Sequence, residues 1–266
     1  MRSMTAGLLD RRPRGHHLAV AATVVVAAVA ASGCSQELRA VCPEKRENVV
    51  LVPSTSVSDL QTSKAMAPAV SEQVVARAAE SCGHLGVGLQ NNRTAADLDL
   101  QSVELTPKRT EAINPDPVIR KLRRTGTEFV QERLLDPLST VPATDGSPFL
   151  GALVKLASEL QAHDAAPATI VMLGDGIDIE TSPSDQVVDF RLASTSKEVL
   201  DEFVPLLKPL AGSCVILMGA GAQSGLPDEV IRSSQERLRQ TLDAAGVGFV
   251  ATRSSDLPST CGGTSS

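Results

Sequence analysis

From Asn48 onward, short and wholly apolar runs alternate with longer segments whose apolar residues recur at helical spacing. Asn48-Val49-Val50-Leu51-Val52, closed by Pro53, reads as a strand buried on both faces. Ser58 to Glu80 carries Ala, Val and Met at helical intervals and predicts a helix. Thr62-Ser63-Lys64 can delay its start, which puts Pro68 in the first turn. His84 to Gln90 and Asp97 to Leu105 predict two further strands, with Asn91-Asn92-Arg93 as polar loop or turn residues between them. Pro115-Asp116-Pro117 opens a helix to about Leu135, and Pro148 starts a second through Leu160. Ala168 to Leu173 is the next buried strand. Residues 181–195 read as a loop or short edge structure, and Lys197 to Leu207 as helical. Cys214 to Met218 is another strand, Pro227 to Ala245 a helix, and Val247 to Ala251 the last strand. Strands alternating with helices predict an α/β fold: an open, mostly parallel sheet with helices on both faces, three layers in all.

The segment ahead of this pattern has a different character. A basic stretch with Arg11, Arg12 and Arg14 precedes an apolar run of about 14 residues, Leu18 to Ala31, and then Ser32-Gly33-Cys34. A spanning helix needs roughly 20 apolar residues, whereas a charged start, a short apolar core and small residues at the cut site make a secretory signal. With Cys directly after Ala-Ser-Gly, the segment resembles a bacterial lipoprotein signal. That resemblance implies cleavage before Cys34, lipid on its sulfur, and a protein held at the extracytoplasmic face of the cell membrane. The expected organisation is a signal peptide over 1–33, a lipidated tether over 34–47, one α/β domain over 48–251 and a loose tail over 252–266.

Charge and composition remove several function classes. The chain carries 31 acidic and 25 basic residues, for a net charge of −6. Signal removal takes away Arg2, Arg11, Arg12 and Arg14 but only Asp10, leaving the remainder more acidic still. Such a chain has no electrostatic case for nucleic acid, and no polybasic stretch supplements the lipid at a membrane. Trp and Tyr are absent and Phe occurs 5 times, which argues against a sugar cleft or base-stacking platform.

Four cysteines remain after Cys34: Cys42, Cys82, Cys214 and Cys261. An even number in an exported chain points to two disulfides rather than a zinc site or free buried thiols. Cys42 and Cys82 both precede strands expected to be neighbours at one end of the sheet, so the predicted pairs are Cys42–Cys82 and Cys214–Cys261.

In open parallel sheets, ligands bind beyond the carboxyl ends of the strands. Three segments lie there or before a helix: Ser54-Thr55-Ser56-Val57-Ser58, Asp145-Gly146-Ser147-Pro148, and Gly174-Asp175-Gly176. In order and spacing they resemble the von Willebrand factor A-type domain over about residues 48–251. That family has Asp-x-Ser-x-Ser after its first strand, a Thr before a helix, and a later strand ending in Asp-Gly. The resemblance implies a divalent cation, magnesium or manganese, held by Ser54, Ser56, Ser58, Ser147 and Asp175. It also implies a non-catalytic role in binding a protein or envelope partner. Ser54 stands where the family has its first Asp, so one negative charge is lost, and Asp145 and Asp178 are candidates to restore it. Two readings follow: a weakened cation site, or a metal-free remnant in which the serines cap the first helix and Asp175 accepts hydrogen bonds.

The competing class is an α/β enzyme, a hydrolase or nucleotide binder, using the turn Gly219 to Gly225. Its glycines invite a phosphate, but their spacing departs from the dinucleotide fingerprint. Ser224 lacks the surround of a nucleophile elbow, and neither His84 nor His163 is placed to serve it.

Overall fold

The computed structural model describes residues 39–90, 98–144, 148–163, 165–177, 179–190, 192, 195–221 and 225–261. Strands β2 (Asn48–Pro53), β3 (His84–Gln90), β4 (Leu98–Glu104), β6 (Ala168–Leu173), β9 (Cys214–Met218) and β10 (Gly248–Thr252) form one sheet, in the order β10-β9-β6-β2-β3-β4. All neighbours run parallel except β3 and β4, which form an antiparallel pair at one edge. Two short antiparallel pairs lie outside it: β1 (Arg39–Ala40) with β5 (Glu111–Ala112), and β7 (Ile179–Thr181) with β8 (Val187–Asp189).

Residue alternation along each strand separates two cores. Val49, Leu51, Val171, Leu173, Ile216 and Met218 face one side, against helices α1 (Leu60–Ser81) and α2 (Asp116–Val130). Val50, Val52, Ile170, Met172, Val215 and Leu217 face the other, against α4 (Phe149–Ala162) and α7 (Asp228–Ala244). The two-residue period of a strand sends successive side chains to opposite faces, so a strand covered on both sides is apolar throughout. The fold is therefore the expected three-layer α/β sandwich.

Both predicted disulfides are present, Cys42–Cys82 and Cys214–Cys261, each with a Cα–Cα distance of 5.6 Å. They accord with an oxidising, extracytoplasmic compartment. Among the described residues no helix is long and apolar enough to cross a membrane.

Several boundaries differ from the sequence reading. Pro68 lies inside α1, not in its first turn; it is exposed, so the Lys64 carbonyl that loses its helical donor can turn to water. The helix expected to end at Leu135 continues through a π turn, Gln131–Leu135, into α3 (Asp136–Thr140). Pro137 has no N–H to donate, which favours this change of pitch. Pro148 takes the N-cap position of α4, ahead of the first turn. The segment 197–207 is split into α5 (Lys197–Asp201) and α6 (Val204–Leu207).

Both ends of the domain are tied down more firmly than a tether and a loose tail. Val41 is buried and its amide donates to Thr110 O at 2.8 Å. Gln73 of α1 donates to Ser255 O and accepts from Leu257 N, each at 2.8 Å, and Arg77 donates to Pro258 O and Ser259 O. Residues 1–33, Cys34 and Asn91-Asn92-Arg93 lie outside the described residues.

Candidate functional site

The chain leaves β2 for β3 on one side and returns through β6 on the other, so the sheet order reverses between β2 and β6. Connections diverge at such a point and leave a crevice beyond the strand ends. Ser54 N donates to Leu173 O at 2.7 Å, and Gly174 N to Met218 O at 3.0 Å. The first bond extends the β2–β6 ladder by one step at the crevice, and the second does the same between β6 and β9.

The loop after β2 is built from hydroxyls around one carboxylate that the sequence reading did not single out. Ser54 Oγ and Ser56 Oγ each donate to Asp59 Oδ2 at 2.8 Å. Asp175 N donates to Asp59 Oδ1 at 2.7 Å. Ser58, which is exposed, meets Ser56 Oγ at 3.1 Å. Asp175 Oδ1 accepts from Ile177 N at 2.9 Å. Asp59 and Asp175 are 1% and 4% exposed, so the pair sits beneath the rim surface. Gly174 permits the close approach: a Cβ on it would lie 3.0 Å from Asp59 Oδ2 and 3.1 Å from Ser54 Cβ, so a neighbour would have to shift by a few tenths of an ångström.

Burial raises the pKa of both carboxyls. For Asp175 burial is the main cause and the charge of Asp59 adds to it, pushing the group up to about 7. Asp59 is also raised by burial, against the opposing pull of Ser54, Ser56 and the Asp175 amide. Asp59 collects three donors, and Asp175 has the amide of Ile177. Asp59 is therefore the better-stabilised anion, and Asp175 holds the proton more readily.

Of the sequence-predicted site residues, Ser54, Ser56, Ser58 and Asp175 converge on this rim. Ser147 lies outside the described residues, as do Asp145 and Asp178. The segment leading to Ser147 does reach the site: Val57 N donates to Thr144 O at 2.9 Å and Thr144 N to Thr55 O at 2.8 Å. Just beyond, Glu180 of β7 accepts from Leu150 N at 3.2 Å and Gly151 N at 2.8 Å at the start of α4. Glu180 is buried and its pKa is pushed up to about 7 by that burial, in spite of the two amides. Sequence pattern gave no sign of this cap, because it joins residues about thirty positions apart. Asp59 did leave a trace, as an acid directly after Ser58, but it reads equally as an ordinary first-turn charge on α1.

The glycine turn after β9 belongs to the same rim. Gly219 N and Ala220 N donate to Thr252 O at 2.9 and 3.1 Å, and Gly221 N to Asp175 O at 3.2 Å. These amides, which a phosphate cradle needs, are spent on protein carbonyls. Asp228 and Glu229 in the first turn of α7 add negative charge there. Ala222, Gln223 and Ser224 lie outside the described residues. A cleft of about 670 Å³ lies at the opposite, amino-terminal end of the sheet, lined in part by Lys45, Arg46 and Arg77. Arg77 is tied to Glu47 at 2.7 Å and Arg46 to Glu104 at 3.3 Å.

No family model matches the chain, and no curated protein matches it in sequence. Among the described residues no three His, Cys, Asp or Glu side chains come together. The rim instead combines two carboxylates with serine hydroxyls. Such an all-oxygen set with a charge of up to −2 fits a hard divalent cation and suits neither zinc nor copper.

Proposed function

We propose that this chain is an extracytoplasmic lipoprotein whose single von Willebrand factor A-like domain binds a protein or envelope partner, without catalysis, through the rim between β2 and β6. The observation that carries the reading is the convergence of Ser54, Ser56 and Asp175, from segments more than a hundred residues apart, on one buried carboxylate. Ser54, Ser56, Ser58 and Asp175 hold the cation in this reading. When bound, magnesium or manganese supplies a positive centre that can accept an oxygen of the partner. The chain's own residues set the geometry: the serines orient their hydroxyls on the loop, and Gly174 lets the two loops approach. Val57, 66% exposed on the same loop, offers apolar contact beside the polar centre. Lipid on Cys34 holds the domain to the membrane.

Thermal unfolding of the purified chain tests the cation-dependent reading. Magnesium or manganese is expected to raise the midpoint, chelator to reverse the rise, and Asp175→Ala to abolish it. An unresponsive wild type overturns that reading. For the anchor, cells fed an alkyne-bearing fatty acid should label the wild type and leave Cys34→Ala unlabelled. Equal labelling of the two removes the assignment of Cys34.

A further inference from the structure

Strand β4 is 7 residues long and forms one edge of the sheet, with β3 on its only paired side among the described residues. Its register against β3 runs unbroken from His84↔Glu104 to Gln90↔Leu98, so no bulge bends it away. Leu105 N donates to Gly83 O at 3.0 Å, one step beyond that ladder. This bond fixes the alternation along β4. Asp99, Gln101 and Val103 turn their backbone groups toward β3, while Leu98, Leu100, Ser102 and Glu104 turn theirs outward. Among the described residues no backbone bond uses those outward groups. Nor do the helix layers close over the edge: Asp99 and Gln101 on one face, and Ser102 and Glu104 on the other, are exposed or half-buried. Native edge strands commonly carry a lysine, a proline or a bulge that hinders pairing with another chain. The sequence Leu-Asp-Leu-Gln-Ser-Val-Glu has none of these.

We propose that β4 pairs with β4 of a second copy of this chain, antiparallel and across a two-fold axis at Gln101. Two copies of one strand related by a two-fold across a shared edge run antiparallel, and the interface uses the same residues on both sides. The register centred on Gln101 gives a partner to every outward residue, Leu98 with Glu104 and Leu100 with Ser102, each in both directions. Centring on Leu100 leaves Glu104 outside the ladder, and centring on Ser102 leaves Leu98 outside it. With Gln101 at the centre, Asp99 falls opposite Val103 and Glu104 opposite Leu98, so no acid faces an acid. Gln101 meets Gln101 of the partner subunit at a position without backbone bonds, where side chains come closest. The strand is thus complementary to itself in length, in outward groups and in charge. The axis is perpendicular to the sheet, so the two copies present their rims at opposite ends of one continuous sheet. The pairing requires no cation.

Sedimentation equilibrium of the full chain in density-matched detergent, with chelator throughout, tests the proposal. The wild type is expected to sediment as a dimer. Ser102→Pro removes an outward N–H that has no acceptor on β3, so the internal ladder is kept. It should weaken self-association roughly tenfold or more, because one hydrogen bond is lost on each side of the axis. Under mild oxidation Gln101→Cys should give a disulfide-linked dimer. Asp99→Cys should not, since Asp99 and Asp99 of the partner subunit lie on opposite sides of the axis, beyond disulfide reach. Urea midpoints establish that each variant is folded, and if Ser102→Pro is not, the two cysteine variants decide alone. A wild type that stays monomeric at about 0.1 mM overturns the proposal. So does a dimer that folded Ser102→Pro leaves unchanged, or cross-linking through Asp99→Cys as complete as through Gln101→Cys.

Discussion

The backbone amide of Asp175 donates to Asp59 Oδ1 at 2.7 Å, joining two residues 116 positions apart in the chain. That bond fixes the β6 loop against the β2 loop and keeps the two carboxyls together under the rim. Truncation to Asp59→Ala leaves a buried amide without this acceptor and takes from Ser54 and Ser56 the closest of their hydroxyl partners, leaving them the longer contacts with neighbouring serines. It is expected to cost about 1–3 kcal/mol in chelator, whereas Asp59→Asn should change stability by less than about 1 kcal/mol. Urea unfolding followed by circular dichroism measures both; equal losses would show that the carbonyl oxygen is not what matters.

Gly174→Ala places a methyl 3.0 Å from Asp59 Oδ2 and 3.1 Å from Ser54 Cβ. Relieving these contacts means shifting a neighbour within the hydroxyl–carboxylate cluster, so a loss of about 1–3 kcal/mol is expected. The same unfolding assay checks it, and a neutral result would mean that the loop yields freely.

Glu180 and Asp175 are both expected to make stability depend on pH, and Glu180 lies apart from the proposed cation site. Its pKa is raised from 4.5 to about 7 in the folded chain, with burial as the main cause. The folded state therefore binds the proton more tightly than the unfolded state. The contribution of this group is fully present below about pH 4.5 and is lost as pH rises toward and through about 7. The loss is on the order of 3 kcal/mol. Glu180→Gln should make that part of the stability–pH curve less steep, leaving the share that Asp175 contributes over the same range. Unfolding free energies measured at pH 4.5, 6 and 8 for both proteins decide the matter, and parallel curves would remove Glu180 as the cause.

The disulfides close loops with sequence separations of 40 and 47 residues. Chain entropy alone assigns each about 4 kcal/mol. Replacing Cys42 and Cys82 together by Ala should lower stability by about that amount and release the segment that carries Val41. Replacing Cys214 and Cys261 should free the tail from α1 and β9, making residues 253–261 susceptible to protease. Resistance to cleavage would show that Gln73 and Arg77 hold the tail unaided.

Much of the fold was written locally. Asn48–Pro53, Ala168–Leu173 and Cys214–Met218 announced themselves as uninterrupted apolar runs, since a central parallel strand is covered on both faces and has no polar alternation to disguise it. Their alternation with amphipathic segments implied the three layers, and the export-like cysteine count implied two disulfides. Pro68 and the end of α2 misled the reading because helix pitch and length yield to tertiary packing more readily than periodicity suggests.

What only the tertiary structure decided is which polar residue finds which partner. Ser54, Ser56 and Asp175 could be placed at strand ends from sequence, but spacing did not pick Asp59 as the acceptor common to all three. Glu180 at the start of α4 was equally silent. Periodicity reports which face of an element avoids water, an average over many weak contacts. A hydrogen bond depends on two atoms brought within about 3 Å, and that distance exists only once the sheet order is set.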